Sequence, residues 1–197
     1  MIEAILTGLR NTSPAEAVGV VLGLMYSILA VLRTRWCWVA GGLGSAILMV
    51  LAWKAKLPMQ SGLQGYYVAM AVYGFWHWSK DGARQTPVTT WPLRFHLISW
   101  VVIVALSALT SQYLARETQA AWPFLDSLTT WGSLLATWLT AQVKLENWLY
   151  WIVLDAIAVF LFAAQGLMFV ALLFLAYLVI STFGFVTWFR SRRALAP

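Results

Sequence analysis

Charge is what this sequence has least of. Only 10% of its 197 residues are charged, whereas 61% are hydrophobic. Soluble domains carry roughly 25% charged residues, so there is too little polar surface here to cover a globule in water. A chain whose outside meets lipid has no such need. Cysteine is nearly absent as well. Cys37 stands alone, which excludes an intramolecular disulfide and a cysteine-based metal site. His77 and His96 have no partner at ligand spacing, so no metal is expected. The signatures of nucleotide-binding loops, serine hydrolases and zinc peptidases are missing, so neither an enzyme nor a cofactor is expected. No cleavable leader is read, because an acidic and polar start precedes the first apolar run.

The net charge is +6, but the basic residues lie at the ends of hydrophobic runs and form no single patch. That argues for membrane loops and against nucleic acid. A membrane-crossing helix needs about 20 mostly apolar residues. Seven segments qualify, near 15–32, 36–53, 58–78, 94–114, 124–142, 147–164 and 166–189. Pro14, Pro58 and Pro123 stand near helix starts, where a missing N–H costs little. The polar stretch SKDGARQTPVTTWPL (79–93) reads as a surface loop. Four basic residues, Arg10, Lys54, Lys56 and Arg116, fall on the N-terminal side, and nine on the other. The excess is expected in the cytoplasm, with the N-terminus outside and the C-terminus inside.

An internal repeat is also visible. YGFWHW (73–78) resembles FGFVTW (183–188), which sets the offset in numbering at 183 − 73 = 110. Without a gap, that offset aligns Trp38 with Trp148, Leu51 with Leu161, Leu57 with Leu167 and Leu63 with Leu173. Tyr67 then meets Tyr177, Gly74 meets Gly184 and Trp78 meets Trp188. Three spans reverse the side of the chain, so an odd fourth span (94–114) is needed for two triplets to lie parallel. The expectation is an all-α integral membrane protein, a single membrane domain over 1–197. Its seven transmembrane helices form a 3+1+3 arrangement, with parallel three-helix repeats at 15–78 and 124–189. Such repeats build transporters that bind substrate between their halves, near the midplane.

The stretch ENWLYWIVLDAIAVF (146–160) sets polar groups into an apolar run. Asn147, Trp151 and Asp155 share one helix face. An ionised carboxylate costs several kcal/mol in lipid, so Asp155 is expected to face inward, either lining a pathway or bonding a neighbouring helix. Glu146 reads as a helix cap. Gln60, Gln64 and Tyr67 share a face of the third segment, and Tyr177, Ser181 and Gly184 one of the seventh. Thr130, Ser133, Thr137 and Thr140 form a hydroxyl stripe suited to bonding between helices or back to their own backbone. Of the 13 tryptophans, Trp36, Trp38, Trp53, Trp76, Trp78, Trp91, Trp122 and Trp188 lie near span ends and read mostly as interfacial anchors. Trp100, Trp131, Trp138 and Trp151 lie deeper, where a ring can stack on a flat ligand or hold a cation; for Trp100 and Trp138 helix packing is the expected role. The candidate substrate-binding set is Gln64, Tyr67, Trp131, Asn147, Trp148, Trp151, Asp155 and Tyr177.

ENWLYWIVLD (146–155), LQGYY (63–67), YGFWHW (73–78) and GFVTW (184–188) together resemble the PnuC family over nearly the whole chain. The resemblance implies a bacterial inner-membrane vitamin transporter with a SWEET-like helix arrangement, best known for nicotinamide riboside. Related members take thiamine, riboflavin or deoxynucleosides. It also implies that cytoplasmic phosphorylation traps the vitamin, on the way to NAD in the case of nicotinamide riboside. The chain departs from the pattern in its second segment, where AGGLGSA (40–46) is very small and Ser45 stands opposite Asp155. The expected partners are a small-molecule substrate and the lipid bilayer. Gly41, Gly42 and Gly44 permit close helix approach, within the chain or in a homo-oligomer. The reading of a different class is a non-transporting membrane subunit, whose buried polar groups only bond neighbouring helices.

Overall fold

The computed structural model describes residues 2–56, 58–80, 86–117 and 122–194. Leu57 of the repeat and positions 81–85 of the polar stretch lie outside them. Eight helices follow one another: α1 (Ile2–Asn11), α2 (Pro14–Val31), α3 (Trp36–Lys54), α4 (Pro58–Lys80), α5 (Leu93–Glu117), α6 (Pro123–Ala141), α7 (Asn147–Ala164) and α8 (Met168–Ala194). Helices α2 to α8 follow the seven apolar segments closely. Helix α1 was not expected; it packs against α8, where Gly8 lies against Phe169.

Local chemistry explains several boundaries. Ser13 caps α2 in a reciprocal capping box with Glu16, and Pro14 opens the helix. The α2–α3 and α6–α7 turns each hold a residue with positive φ, Arg33 at 51° and Val143 at 52°. The α3–α4 and α7–α8 turns do the same with Lys56 at 59° and Gly166 at 76°. Both pairs stand at the offset of the sequence repeat. So do the closing bonds Thr34 N–H to Leu29 C=O and Lys144 N–H to Leu139 C=O, at 3.1 and 3.0 Å. In both turns the late amide satisfies a carbonyl that the helix end leaves free.

Among the described residues, five helices are long and apolar enough to cross a membrane: α2, α3, α5, α7 and α8. Helices α4 and α6 are not among them. The reason is chemical: α4 carries Gln60, Ser61 and Gln64, and α6 carries Asp126 and a run of hydroxyls. Packing compensates. Helix α4 lies against α3 and α6, and α6 against α4, α5 and α7, so both are shielded by apolar neighbours. Consecutive helices pack within α2–α3–α4 and within α6–α7–α8, while α2 meets α8 and α4 meets α6 across the middle. Helix α5 lies outside this frame on α6, and Leu97, Ile98 and Val101 on its outer face are exposed, as a lipid-facing surface requires.

The connecting segment before α5 is less loose than a surface loop. Val88 is buried, and Thr89 bridges in parallel to Lys144, accepting from Leu145 N–H at 2.9 Å. Glu146 also differs from expectation. Its carboxylate does not cap its own helix α7; Oε1 instead accepts the Trp91 N–H at 3.0 Å, just ahead of α5, with His96 Nε2 3.7 Å away. The glycines of α3 are used inside the chain: Gly41 faces Tyr26, Gly42 faces Ala71 and Gly44 faces Leu22.

Candidate functional site

A cavity of about 500 Å³ lies between the two helix triplets. Among the described residues, all six of their helices line it and neither α1 nor α5 does. Helix α2 presents Gly19, Gly23 and Tyr26; α3 presents Trp38, Gly41 and Ser45; α4 presents Gln60, Gln64 and Tyr67. From the other triplet come Asp126, Ser133 and Thr140 of α6, Trp148, Trp151 and Asp155 of α7, and Tyr177 and Ser181 of α8.

Asp155 is buried at 4% exposure, and its Oδ2 accepts the Ser181 hydroxyl at 2.9 Å. Among the described residues it makes no ion pair. Among the described residues the lining holds a second carboxylate, Asp126 in the first turn of α6, and no lysine, arginine or histidine. A strongly basic chain thus encloses a cavity whose charged groups are all acidic. Tyr67 donates to Ser133 at 2.7 Å, and the Tyr177 hydroxyl comes so close to Gly23 that an added Cβ there would stand 2.5 Å from it. These two contacts again lie at matching positions: 67 and 177, 133 and 23. The same places therefore carry different chemistry in the two triplets. Where α7 has Trp151 and Asp155, α3 has Gly41 and Ser45, so one wall is ring and carboxylate and the facing wall is small.

One end of the cavity is closed by indoles. Trp38 and Trp148 sit in the first turns of α3 and α7. Trp78 meets Trp38 at 5.4 Å and 82°, and Trp188 meets Trp148 at 5.4 Å and 88°. Each inner ring presses on a glycine, Trp38 on Gly74 and Trp148 on Gly184.

Of the eight candidate residues, six line the cavity: Gln64, Tyr67, Trp148, Trp151, Asp155 and Tyr177. Two do not. Trp131 points to α5, donating from Nε1 to Thr110 at 3.3 Å. Asn147 is fully buried behind the wall; Nδ2 donates to Lys144 C=O at 2.6 Å, and Oδ1 lies 3.0 Å from the Thr140 hydroxyl. Thr140 also accepts Trp151 Nε1–H at 3.4 Å, so Asn147 reaches the cavity only through it. Trp38, Trp78 and Trp188, read as interfacial anchors, are no more than 2% exposed, unlike the exposed Trp36, Trp53 and Trp76. Closeness to a span end does not tell which face a ring takes; here glycines on α4 and α8 make the slots. Trp100 and Trp138 do pack, against Tyr150 and Trp91. Tyr26, Trp38 and Asp126 were missed. Asp126 had a signal, since it begins the hydroxyl stripe one turn before Thr130.

The family model for the nicotinamide mononucleotide transporter matches residues 13–190. The chain belongs to this family. Its relatives here include the riboflavin/roseoflavin transporter RibM of Streptomyces davaonensis, 28% identical over 93% of this chain and 88% of that protein. The nicotinamide riboside transporter PnuC of Escherichia coli is 25% identical over 90% of this chain and 86% of its own. The crystal structure of the vitamin B3 transporter PnuC superposes with a TM-score of 0.75 at 20% identity, covering 99% of this chain and 88% of that one. Membership of the PnuC family, indicated by the aromatic motifs, is therefore shown, and with it a multi-pass membrane transporter of a small vitamin-like molecule rather than an enzyme.

Proposed function

We propose that the chain carries nicotinamide riboside across a bacterial inner membrane by facilitated diffusion, with the two helix triplets rocking about the central cavity. One observation carries this reading: Asp155 is buried in a ring-lined cavity whose wall, among the described residues, offers it no cationic side chain. A buried carboxylate without a counter-charge is costly, and a cationic ligand supplies the missing charge. Nicotinamide riboside brings a flat pyridinium. Trp151, one helical turn from Asp155, can hold that ring by cation–π attraction of about 0.5–2 kcal/mol. Gln64, Tyr67, Trp148 and Tyr177 complete the binding set, with Asn147 positioning Thr140 and Trp151, and Trp131 bracing α5. A phosphorylated nucleotide fits poorly, because the described lining holds no basic group for the phosphate.

The seven-span 3+1+3 arrangement belongs to the same proposal, with α5 as the odd span. Turn geometries, ring contacts and hydrogen bonds that recur at the repeat offset support it, as does the shielding of α4 and α6. An outside N-terminus follows from the nine-to-four distribution of basic residues.

The test is transport by purified protein in liposomes. Labelled nicotinamide riboside should equilibrate without ATP and show counterflow against unlabelled substrate. Accumulation of free substrate above the outside level would contradict a facilitator, and absence of saturable flux would favour a non-transporting subunit. Similarity to RibM favours riboflavin as the second reading. Riboflavin is neutral and leaves Asp155 unmatched, whereas thiamine is a cation and competes on charge. A side-by-side titration of the three ligands separates them.

A further inference from the structure

The end of the cavity opposite the indoles is open. Along the wall that α6 provides, exposure falls steadily. Asp126 is exposed, Thr129 and Thr130 are partly buried, and Ser133, Thr137 and Thr140 are buried. Helix α4 repeats the gradient, with Gln60 exposed and Gln64 buried. Asp126 therefore stands at the mouth, in the first turn of α6. At 1.5 Å per residue, Thr140 is about 21 Å further in. Thr140 accepts Trp151 Nε1–H, and Asp155 lies one turn back toward the mouth on α7, which returns alongside α6. Asp126 is thus about 15 Å outside Asp155 along the helix axes.

An acid in the first turn suits the positive end of a helix. The equivalent residue of the first triplet, Glu16 at the offset of 110, shows the usual use. Glu16 closes the capping box of α2, its Oε2 accepting the Ser13 N–H at 2.7 Å, and it does not line the cavity. Helix α6 has no such box, since its N-cap is Trp122 without a side-chain bond. Among the described residues the Asp126 carboxylate accepts no hydrogen bond and makes no ion pair; the Thr129 and Thr130 hydroxyls bond its backbone carbonyl instead, at 2.9 Å each. None of the basic residues on that face, Arg10, Lys54, Lys56 and Arg116, lines the cavity. We propose that Asp126 is a capture site for the cationic substrate at the mouth of the cavity, ahead of Asp155. This rests on the cationic-substrate reading and deepens it, because the two carboxylates then divide the work. Asp126 draws the charged ring in and sets its rate of entry, and Asp155 holds it once bound. The exposed charge is screened by salt, over a Debye length of about 10 Å at 0.1 M, whereas the buried one is screened much less. A charge at the rim acts on association, and a buried partner acts on dissociation.

The test compares nicotinamide riboside with its reduced form, which keeps the carboxamide and the ribose but has lost the positive charge. Stopped-flow tryptophan fluorescence of the purified full chain gives association and dissociation rates for both, at low and at physiological salt. The natural protein should bind the cation faster than the reduced form, and added salt should narrow that gap. Asp126→Asn should slow association of nicotinamide riboside by roughly threefold at low salt and remove most of its salt dependence. The dissociation rate of the cation and both rates of the reduced form should stay the same. Asp126→Glu should behave as the natural protein does, and Asp155→Asn should act on dissociation instead. Unchanged association of the cation in Asp126→Asn, or an equal slowing of both ligands, would mean that Asp126 serves only the start of α6, and would overturn the proposal. So would an association rate in the natural protein that is indifferent to salt, a result that needs no variant to fold. If the natural protein holds the reduced form as tightly as the cation, the cationic reading itself falls and takes the capture site with it.

Discussion

Trp78 and Trp188, equivalent positions of the two triplets, meet ring to ring at 6.5 Å with their planes at 48°. Each donates its indole N–H across to the other triplet, Trp78 to Ala141 and Trp188 to Val31. Those acceptors are themselves equivalent, and each is the last residue of its helix. The two bonds clasp the triplets together at the indole-closed end of the cavity.

Breaking this clasp should have the same consequence from either side. Trp78→Phe and Trp188→Phe each leave a helix-end carbonyl without its donor, at a cost of about 1–3 kcal/mol. Both variants should melt at lower temperature in detergent, by similar amounts. Two unequal shifts, one of them near zero, would show that only one bond contributes.

The glycine slots set the positions of the inner indoles. A Cβ at Gly184 would stand 2.6 Å from the Trp148 ring, whereas one at Gly62 would meet nothing within 4 Å. Gly184→Ala should therefore destabilise by about 1–3 kcal/mol through overpacking. Gly62→Ala, inside α4, should stabilise by about 0.5–1 kcal/mol from backbone entropy. Thermal unfolding of the two single variants checks the sign of each.

Asp155→Asn keeps an acceptor for the Ser181 hydroxyl while removing the charge. Affinity for nicotinamide riboside should fall by tenfold or more, about 1.4 kcal/mol, while any binding of neutral riboflavin should be unchanged or stronger. Competition titrations with both ligands read this directly. An equal loss for both would assign Asp155 a purely structural part.

Trp151→Ala should weaken substrate binding without expelling the protein from the membrane. The ring lines the cavity but is only half-buried, and its one hydrogen bond, to Thr140, is long at 3.4 Å. Membrane yield and calorimetry together check both parts, and unchanged affinity would remove Trp151 from the binding set.

Glu146→Ala tests a different link. It removes the acceptor for Trp91 N–H ahead of α5 and the neighbour of His96. The variant should lose stability by about 1–3 kcal/mol, with ligand affinity unaffected, because neither Glu146 nor α5 lines the cavity. Thermal unfolding and titration of one preparation give both numbers.

Much of the candidate site, as a set of residues sharing one cavity, was legible in one dimension. Trp151 and Asp155 are four positions apart, Gln64 and Tyr67 three, and helical periodicity alone puts each pair on one face. A carboxylate deep in an apolar run has few places to point except inward. Asn147 shows where that logic ends. It shares the face of Trp151, yet it starts the helix, and the α6–α7 turn folds back over it. Trp131 sits on α6 among cavity-lining hydroxyls but faces α5, because periodicity gives a direction around a helix and not the identity of the neighbour there.

Composition and hydropathy by themselves determined that this chain is helical and lies in lipid, because about 20 apolar residues at a time admit no other way to satisfy the backbone there. The aromatic motifs determined its family. Only the tertiary structure decided which tryptophans are anchors and which close the cavity, since that depends on glycines carried by the next helix along the chain. It alone decided, too, that among the described residues the indole N–H groups of Trp38 and Trp148 remain unpaired while those of Trp78 and Trp188 do not. A hydrogen bond between helices depends on where the two helices cross, and crossing geometry is a property of the packed whole rather than of any segment.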